Sequence, residues 1–427
     1  MSAAHGEAFG EIEGAAQGGA QTAICEAQAF DPAGEPANVQ REIYLDNAAT
    51  TKPRPEVVEV MARELAQDYG NASSVHALGK RAKRVLEESR ATVARALGVD
   101  PEEVFFTSGG TESNNLAVRG SVLPRGFESG RIITSALEHP SVTRSVRGLK
   151  REGDIKVSYI EAVHGNFDLE AFERFIREPT TLVTVMAVQN ELGYRMPIQQ
   201  ICELRNRYAP DALVHTDAVQ AFGKVNVPVR EWGVDLVSLS AHKIGGPKGI
   251  GALYVKKGTQ MYTNAFGGGQ ERGLRSGTEA VYLAAGFAEA VRCVFADRAG
   301  DETRERKLWN HLHNRMVSEI PDTVVNSRED GSPCLFNFSI PGMRNQHALM
   351  WLSKRGIYVS RASACVENVN TVPTGTWRPK HQLSLQAAGI PLAMGKRTLR
   401  VSFGWDTTMA DIDAFVDALK EYLAKNA

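Results

Sequence analysis

The sequence predicts an α/β fold built on a mostly parallel sheet, followed by a smaller α+β domain. From residue 41 to about residue 280, short β-rich runs alternate with amphipathic helical stretches, the pattern of strand–helix–strand crossovers. After residue 280 longer helical stretches lead into only a few short strands. The composition, 43% hydrophobic and 23% charged in 427 residues, is that of an ordinary globular protein with room for two or three domains.

The predicted strands of the large sheet are short runs rich in Val, Ile, Leu and Thr. They are residues 104–107, 131–134, 156–160, 181–186, 212–216, 235–240 and 251–255. Amphipathic stretches at 168–177 and 198–208 are predicted as helices between them. Ligands of parallel sheets bind beyond the carboxyl ends of the strands, so the residues that follow each run are the first candidates for a site.

The second domain is predicted from helical stretches and strands of a different rhythm. Its helices are residues 281–296, 302–318 and 410–424, its strands are 335–340, 357–359 and 398–403, and a further short element is 347–355. We therefore predict a large domain over 55–280 and a small domain formed by 41–54 together with 281–427. Residues 1–40 contain neither Lys nor Arg and are rich in Ala, Gly and Gln, so we expect a mostly disordered N-terminal extension.

Charge and cysteine usage exclude several classes of function. The 49 basic and 50 acidic residues give a net charge of −1, which does not indicate a nucleic-acid partner. No apolar run reaches the length of about 18 residues that a membrane span needs. The cysteines are widely spaced and form no C-x-x-C pair, which argues against a disulfide framework or a metal site and favours a cytoplasmic protein. They are Cys25, Cys202, Cys293, Cys334 and Cys365.

Residues 108–115, Ser-Gly-Gly-Thr-Glu-Ser-Asn-Asn, follow the first strand of the sheet and open a predicted helix. Gly110 allows close approach of an anion to the backbone, and a helix start offers unpaired N–H groups. Thr111 could cap the helix and donate its hydroxyl. The segment is either a phosphate cradle or a tight strand-to-helix turn with a good cap.

Ionisable side chains follow two further predicted strands. Asp217, with Gln220 three positions on, follows strand 212–216; the carboxylate could hold a pyridinium nitrogen protonated or simply cap a helix. Lys243 follows strand 235–240 and precedes a glycine-rich turn. A lysine in such a cleft could form a Schiff base, with Ser240 and His242 donating to a phosphate. The alternative is a basic surface loop.

Three later motifs are weaker alone. The glycine-rich stretch 267–278 contains two arginines and is either an anion contact or a flexible loop. Cys365 ends the loop after strand 357–359 and is either an exposed nucleophile or an inert thiol. Arg400, in strand 398–403, could grip a carboxylate with two hydrogen bonds or form an edge-strand salt bridge.

In this order the motifs resemble the NifS/IscS-type cysteine desulfurases, class-V members of the fold-type I pyridoxal-phosphate enzymes. Residues 44–51 (Tyr-Leu-Asp-Asn-Ala-Ala-Thr-Thr) and 70–76 (Gly-Asn-Ala-Ser-Ser-Val-His) extend the resemblance, which covers the chain after residue 41. It implies pyridoxal 5′-phosphate as cofactor. Lys243 would carry the Schiff base, Asp217 would pair with the pyridine nitrogen, and Gln220 would contact the ring hydroxyl oxygen. The phosphate would be held by Gly110, Thr111, Ser240 and His242.

The resemblance also assigns the substrate side. His139 would stack on the ring and assist proton transfers, and Asn190 would lie near the ring oxygen and the substrate carboxylate. Arg400 would bind that carboxylate, with Asn47 close by. Cys365 would be the catalytic nucleophile. Thr278 would reach the phosphate in the partner subunit, which requires a homodimer.

The implied function is conversion of L-cysteine to L-alanine, with the sulfur held on Cys365 as a persulfide and delivered to an unidentified acceptor protein. The acceptor could belong to iron–sulfur cluster assembly, to tRNA thiolation or to a specialised pathway. A selenocysteine lyase or class-V aminotransferase on the same scaffold is an alternative, and a non-catalytic sulfur-assembly scaffold is another. Val366, Glu367 and Asn368 depart from the Ser or Thr that often follows the family's cysteine. We expect residues 369–379 to form a long mobile loop that carries the persulfide.

Overall fold

The computed structural model describes residues 41–125, 130–263, 265–361 and 383–426. The predicted N-terminal extension, Cys365 and the predicted mobile loop at 369–379 lie outside these ranges. The described residues from Glu42 onward form one compact unit. None of the helices in the described ranges is both long and apolar enough to span a membrane.

The secondary structure follows the predicted rhythm. In the described part of the chain the strands are β1 Ile43–Tyr44, β2 Val104–Thr107, β3 Arg131–Ser135, β4 Lys156–Ile160, β5 Ala162–Val163, β6 Asn166–Phe167, β7 Leu182–Thr184, β8 Leu213–Asp217, β9 Leu236–Ser240, β10 Gly251–Val255, β11 Val324–Val325, β12 Leu335–Ser339, β13 Ile357–Tyr358 and β14 Thr398–Ser402. The helices there are α1 Pro55–Gln67, α2 Ala77–Leu97, α3 Gly110–Val122, α4 Pro140–Glu152, α5 Leu169–Ile176, α6 Ile198–Tyr208, α7 Val229–Trp232, α8 Val281–Ala296, α9 Arg298–Glu319, α10 Asn345–Ser353, α11 Leu383–Ala387, α12 Leu392–Gly395 and α13 Met409–Lys425.

The main sheet has seven strands within the described ranges, in the order β2-β10-β9-β8-β7-β3-β4. Strand β10 runs antiparallel to β2 and β9, and the pairs from β9 to β4 are parallel. The mostly parallel sheet is therefore confirmed. Successive residues along a strand belong to different cores: Leu213 packs in one cluster and Val214 in another. Both faces of the sheet are covered, which explains why its strands read as continuous apolar runs.

A smaller antiparallel sheet, β11-β12-β14, has its own core with α9, α10 and α13. Ile43 and Leu45 belong to this second core, while Ala48 and Val57 belong to the large one. Strand β1 pairs with β13 in a separate two-stranded sheet, and residues 46–51 lead from the second core to the core of the main sheet.

One helix boundary differs from the prediction. Helix α9 begins at Arg298 rather than at 302, because the Asp297 side chain accepts the backbone N–H of Gly300 at 3.0 Å and caps it. Helix α8 shares the core of the large sheet, although the domain division at residue 280 placed it in the small domain. That division stays a prediction, since the described residues from 42 onward form one unit.

Candidate active site

A cavity of about 440 Å³ opens at the carboxyl ends of the main-sheet strands. Of the predicted site residues that fall within the described ranges, all but Asn47 and Thr278 line it. They are Gly110, Thr111, His139, Asn190, Asp217, Gln220, Ser240, His242, Lys243 and Arg400. The residues come from six separate segments of the chain, and the strand order brings them to one edge of the sheet.

One wall of the cavity is built to receive an anion. Helix α3 begins at Gly110, where an added Cβ would lie 2.7 Å from Val219 Cγ2, so a side chain would close this approach. Gly109 occupies the N-cap position; the suggestion that Thr111 caps the helix is therefore wrong, and its hydroxyl stays in the first turn. Ser240 lies beside the helix start, since the added Cβ would be 3.6 Å from Ser240 Cβ, and its Oγ is buried with no hydrogen-bond partner among the described residues. A buried hydroxyl beside a helix start is a ready donor to a phosphate.

His242 adds a neutral ring to this wall. Burial, together with the charges of Lys243 and Lys248, lowers the pKa of His242 to about 3. Its Nδ1 lies 3.1 Å from Thr50 Oγ1. The imidazole therefore stays uncharged at neutral pH and can contribute one N–H donor rather than a positive charge.

Asp217 ends strand β8 and is 5% exposed. Its Oδ2 accepts Asn114 Nδ2 at 2.6 Å, and its Oδ1 accepts the backbone N–H of Val219 at 3.0 Å. Asn114 Nδ2 also donates to Ser141 Oγ at 2.8 Å. These donors fix the carboxylate in one orientation at the cavity wall, where it can pair with a protonated ring nitrogen.

His139 caps helix α4 and shares the same network. Its Nδ1 accepts the backbone N–H of Ser141 at 3.2 Å and lies 2.7 Å from Ser141 Oγ. Nδ1 therefore presents its lone pair, and the ring proton belongs on Nε2. Burial lowers the pKa of His139, aided by Lys243 and Arg144 and opposed by Asp217. The residue is a neutral, flat ring at the cavity wall.

Lys243 follows β9 through a single 3-10 turn, Ala241–Lys243. Its Nζ donates to the carbonyls of Ala48 and Ala49, both at 2.7 Å. Strands β8 and β9 are parallel neighbours, with Asp217 opposite Ser238. The lysine and the carboxylate thus reach the same cavity from adjacent strands.

Arg400 closes the far end of the cavity and is 1% exposed. Its Nη2 bonds Asp46 Oδ1 at 2.7 Å and its Nη1 bonds the carbonyl of Asn190 at 2.9 Å, while Nε is buried without a partner in the described ranges. Burial raises the pKa of Asp46, although Arg400 lowers it. The guanidinium is held in a fixed plane with N–H groups left for a carboxylate.

The remaining predicted residues lie elsewhere. Asn47 is buried and donates to the carbonyls of Tyr44 at 3.1 Å and Ser402 at 3.0 Å, so its amide braces the segment beside the cavity rather than lining it. Thr278 is exposed on a second cavity of about 170 Å³, which shares Ser108 and Gly249 with the first. The roles predicted for both stay predictions.

Sequence reasoning assigned no role to several residues that build the site. Asn114 orients Asp217, and Asp46 orients Arg400. Glu138 accepts Ser135 Oγ and the backbone N–H of Met186; burial, with a smaller contribution from Asp217, raises the pKa of Glu138 to about 8. Asn114 and Asp46 stood inside quoted motifs, but no spacing in the chain connects either with its partner.

This fold and site define the class. The chain belongs to the aminotransferase class-V family, whose profile matches residues 43–415. Cysteine desulfurase IscS of Dictyoglomus turgidum is 35% identical over 389 residues, covering 91% of this chain and 96% of that protein. The solved structure of a NifS-like protein matches with a TM-score of 0.83 and 32% identity, covering 90% of this chain and all of that one.

A third relative, the selenocysteine lyase of Bos taurus, is 33% identical over 419 residues, covering 90% of this chain and 94% of that protein. Together these similarities confirm the resemblance to NifS/IscS-type cysteine desulfurases and the fold it implied.

Proposed function

We propose that this protein is a pyridoxal-phosphate-dependent cysteine desulfurase that moves sulfur from L-cysteine onto Cys365. One observation carries the proposal: Asp217 ends β8 and Lys243 follows the adjacent parallel strand β9, and both line one cavity together with a helix start and a buried hydroxyl that has no hydrogen-bond partner among the described residues. An amine, a carboxylate and an anion cradle are what an aldehyde-bearing pyridine phosphate requires.

The cavity residues fit this cofactor. Its phosphate would be held by the start of α3, Ser240 Oγ and His242; Asp217 would pair with its ring nitrogen, and Lys243 would bond its aldehyde. When bound, pyridoxal phosphate draws electron density from the substrate's Cα and makes the proton there acidic.

The chain's own groups then divide the work. Arg400 would bind the substrate carboxylate, since its plane is fixed by Asp46 and the Asn190 carbonyl. Lys243 Nζ has the chemistry to hold a proton taken from Cα, and His139, neutral with its proton on Nε2, can exchange one nearby. These groups act from fixed positions, which is worth several orders of magnitude in rate when the reacting atoms are aligned.

Cys365 would complete the reaction from outside the described ranges. Its thiolate attacks the substrate sulfur; a sulfur–sulfur bond forms as the carbon–sulfur bond breaks, and the electron pair stays with the carbon. That carbon takes up a proton and leaves as L-alanine, so cysteine plus enzyme thiol gives alanine plus enzyme persulfide. The described cysteines are poor substitutes, because burial raises the pKa of Cys202 to about 12 and that of Cys334 well above its ordinary value.

The test is direct. Purified protein should be yellow and should release alanine and, with a reductant, sulfide from L-cysteine. Lys243→Ala should lose both the colour and the reaction. Cys365→Ser should keep the colour and lose sulfide release, with Cys293→Ser as the matched control that keeps both. Sulfide from Cys365→Ser at the wild-type rate would remove the assigned nucleophile.

A selenocysteine lyase is the second candidate, because the bovine relative carries that name at similar identity. Alanine formation from L-cysteine and from L-selenocysteine, compared as kcat/KM, separates the two. A desulfurase turns over cysteine at a comparable rate, whereas a lyase is selective for the selenium substrate.

We also propose that the protein is a homodimer in which Thr278 faces the partner's cofactor, and light scattering of the purified protein tests this. We further propose that a separate protein accepts the sulfur and that the enzyme is cytoplasmic.

A further inference from the structure

Lys224 is a buried lysine directly behind the active-site cavity. It is 6% exposed, and its Nζ donates to Gln220 Oε1 at 2.7 Å. Among the described residues, Gln220 lines the main cavity, while Lys224 lines a separate small cavity of about 40 Å³ that Lys243 also borders. Lys224 therefore reaches the reaction centre through another side chain.

The contact decides which end of the Gln220 amide faces the cavity. The Lys224 amine donates to the amide oxygen, which holds that oxygen on the Lys224 side. The Nε2 group is thereby turned the other way, where it donates to the Ala48 carbonyl at 2.9 Å. The same carbonyl accepts Lys243 Nζ at 2.7 Å. A continuous hydrogen-bond chain runs from Lys224 through Gln220 and Ala48 to Lys243.

The surroundings hold Lys224 in this position. Its backbone carbonyl accepts Arg298 Nη2 at 3.0 Å, and Arg298 pairs with Glu305 at 2.6 Å. The charged and titratable groups around it are Glu305, Arg298, Cys334 and Arg400. Burial lowers the pKa of Lys224, while Cys334 and Glu305 oppose that effect. At this depth an amine needs a polar partner, and Gln220 provides the acceptor.

We propose that Lys224 is a positioning residue that keeps the N–H donors of Gln220, and not its oxygen, turned towards the cavity. Only a hydrogen-bond acceptor can then bind at this point, such as the ring oxygen of pyridoxal phosphate. The inference therefore rests on the proposed function. Without Lys224 only the Ala48 carbonyl still selects the amide orientation, and a flipped amide would turn its oxygen towards the ring oxygen of the cofactor.

The test uses apo protein titrated with pyridoxal phosphate alone. Lys224→Met removes the donor and should weaken cofactor binding about tenfold or more, the effect of one hydrogen bond to a charged group. It should also shift the pH midpoint of the visible absorption band. Lys224→Arg and Lys224→Gln keep an N–H donor and should bind near the wild-type level. Lys256→Met, at an exposed lysine paired with Asp235, is the matched control.

A double-mutant cycle separates positioning from general damage. In a Gln220→Ala background, Lys224→Met should cause no further loss of cofactor affinity. An equal loss in both backgrounds, or wild-type affinity and midpoint in Lys224→Met, would overturn the proposal. If Lys224→Met does not fold, loss of affinity in Lys224→Gln overturns it instead. A wild-type protein that binds no pyridoxal phosphate refutes the proposed function before any variant is made.

Discussion

Replacing Arg400 with Lys tests the substrate side of the site without removing its charge. A guanidinium has five N–H groups in one plane, and the structure uses two of its nitrogens for Asp46 and the Asn190 carbonyl. A lysine ammonium has three N–H groups at one point. Once these two acceptors are satisfied, a two-pronged grip on a substrate carboxylate is no longer available.

The expected loss of kcat/KM follows from the number of N–H groups left for the substrate. One charge-assisted hydrogen bond is worth about 1.5–3 kcal/mol, or about 10- to 100-fold in kcat/KM. Because the carboxylate is bound before and during the reaction, most of the loss should appear in KM for L-cysteine. Steady-state alanine formation measures both parameters, and thermal unfolding checks that the fold is kept. Arg397→Lys, three residues earlier, is the matched control. An unchanged KM in Arg400→Lys would show that the guanidinium does not bind the substrate.

Three further predictions concern the frame of the site. Gly110→Ala should weaken pyridoxal-phosphate binding, because its Cβ would lie 2.7 Å from Val219 Cγ2; adding Val219→Ala should restore part of the affinity, and full affinity in the single variant would contradict this. Glu271→Gln should lower the free energy of unfolding in urea by about 3–5 kcal/mol, since it leaves the nearly buried Arg90 without its two-pronged partner; a change under about 1 kcal/mol would contradict it. Burial lowers the pKa of His215 to about 3, so the unfolded chain binds a proton that the folded chain does not, and stability should fall as the pH drops from about 6.5 towards 3, by about 2 kcal/mol at pH 5. His215→Gln should flatten that slope in urea unfolding at pH 5 and 7.5; an equal slope in the variant would assign the effect to other groups.

The sequence predicted the main sheet well, because its strands are buried on both faces and read as short apolar runs. Strands 104–107, 156–160 and 251–255 were predicted to the residue. The boundary at Asp297 was missed, because it depends on a side-chain cap rather than on periodicity. A helical pattern also does not say which core a helix joins, and α8 packs in the core of the large sheet.

The sequence allowed site residues to be named where a reactive side chain follows a predicted strand, as at Asp217 and Lys243. The contacts that support these residues could not be predicted, because they join distant parts of the chain: Asn114 and Asp217 are 103 residues apart, and Arg400 and Asp46 are 354 apart. Backbone carbonyls such as that of Ala48 carry no sequence signal. The contact between Gln220 and Lys224 spans only four residues, and this spacing was available to sequence reasoning.

Borohydride reduction followed by peptide mass mapping shows whether Lys243 forms a Schiff base with pyridoxal phosphate. Reduction makes the bond between an amine and an aldehyde cofactor permanent, so one peptide should carry the added mass of a pyridoxyl phosphate group. We expect this group on Lys243 and none on the Lys243→Ala variant. A label on another lysine, or an equal label on Lys243→Ala, would contradict the assignment of Lys243.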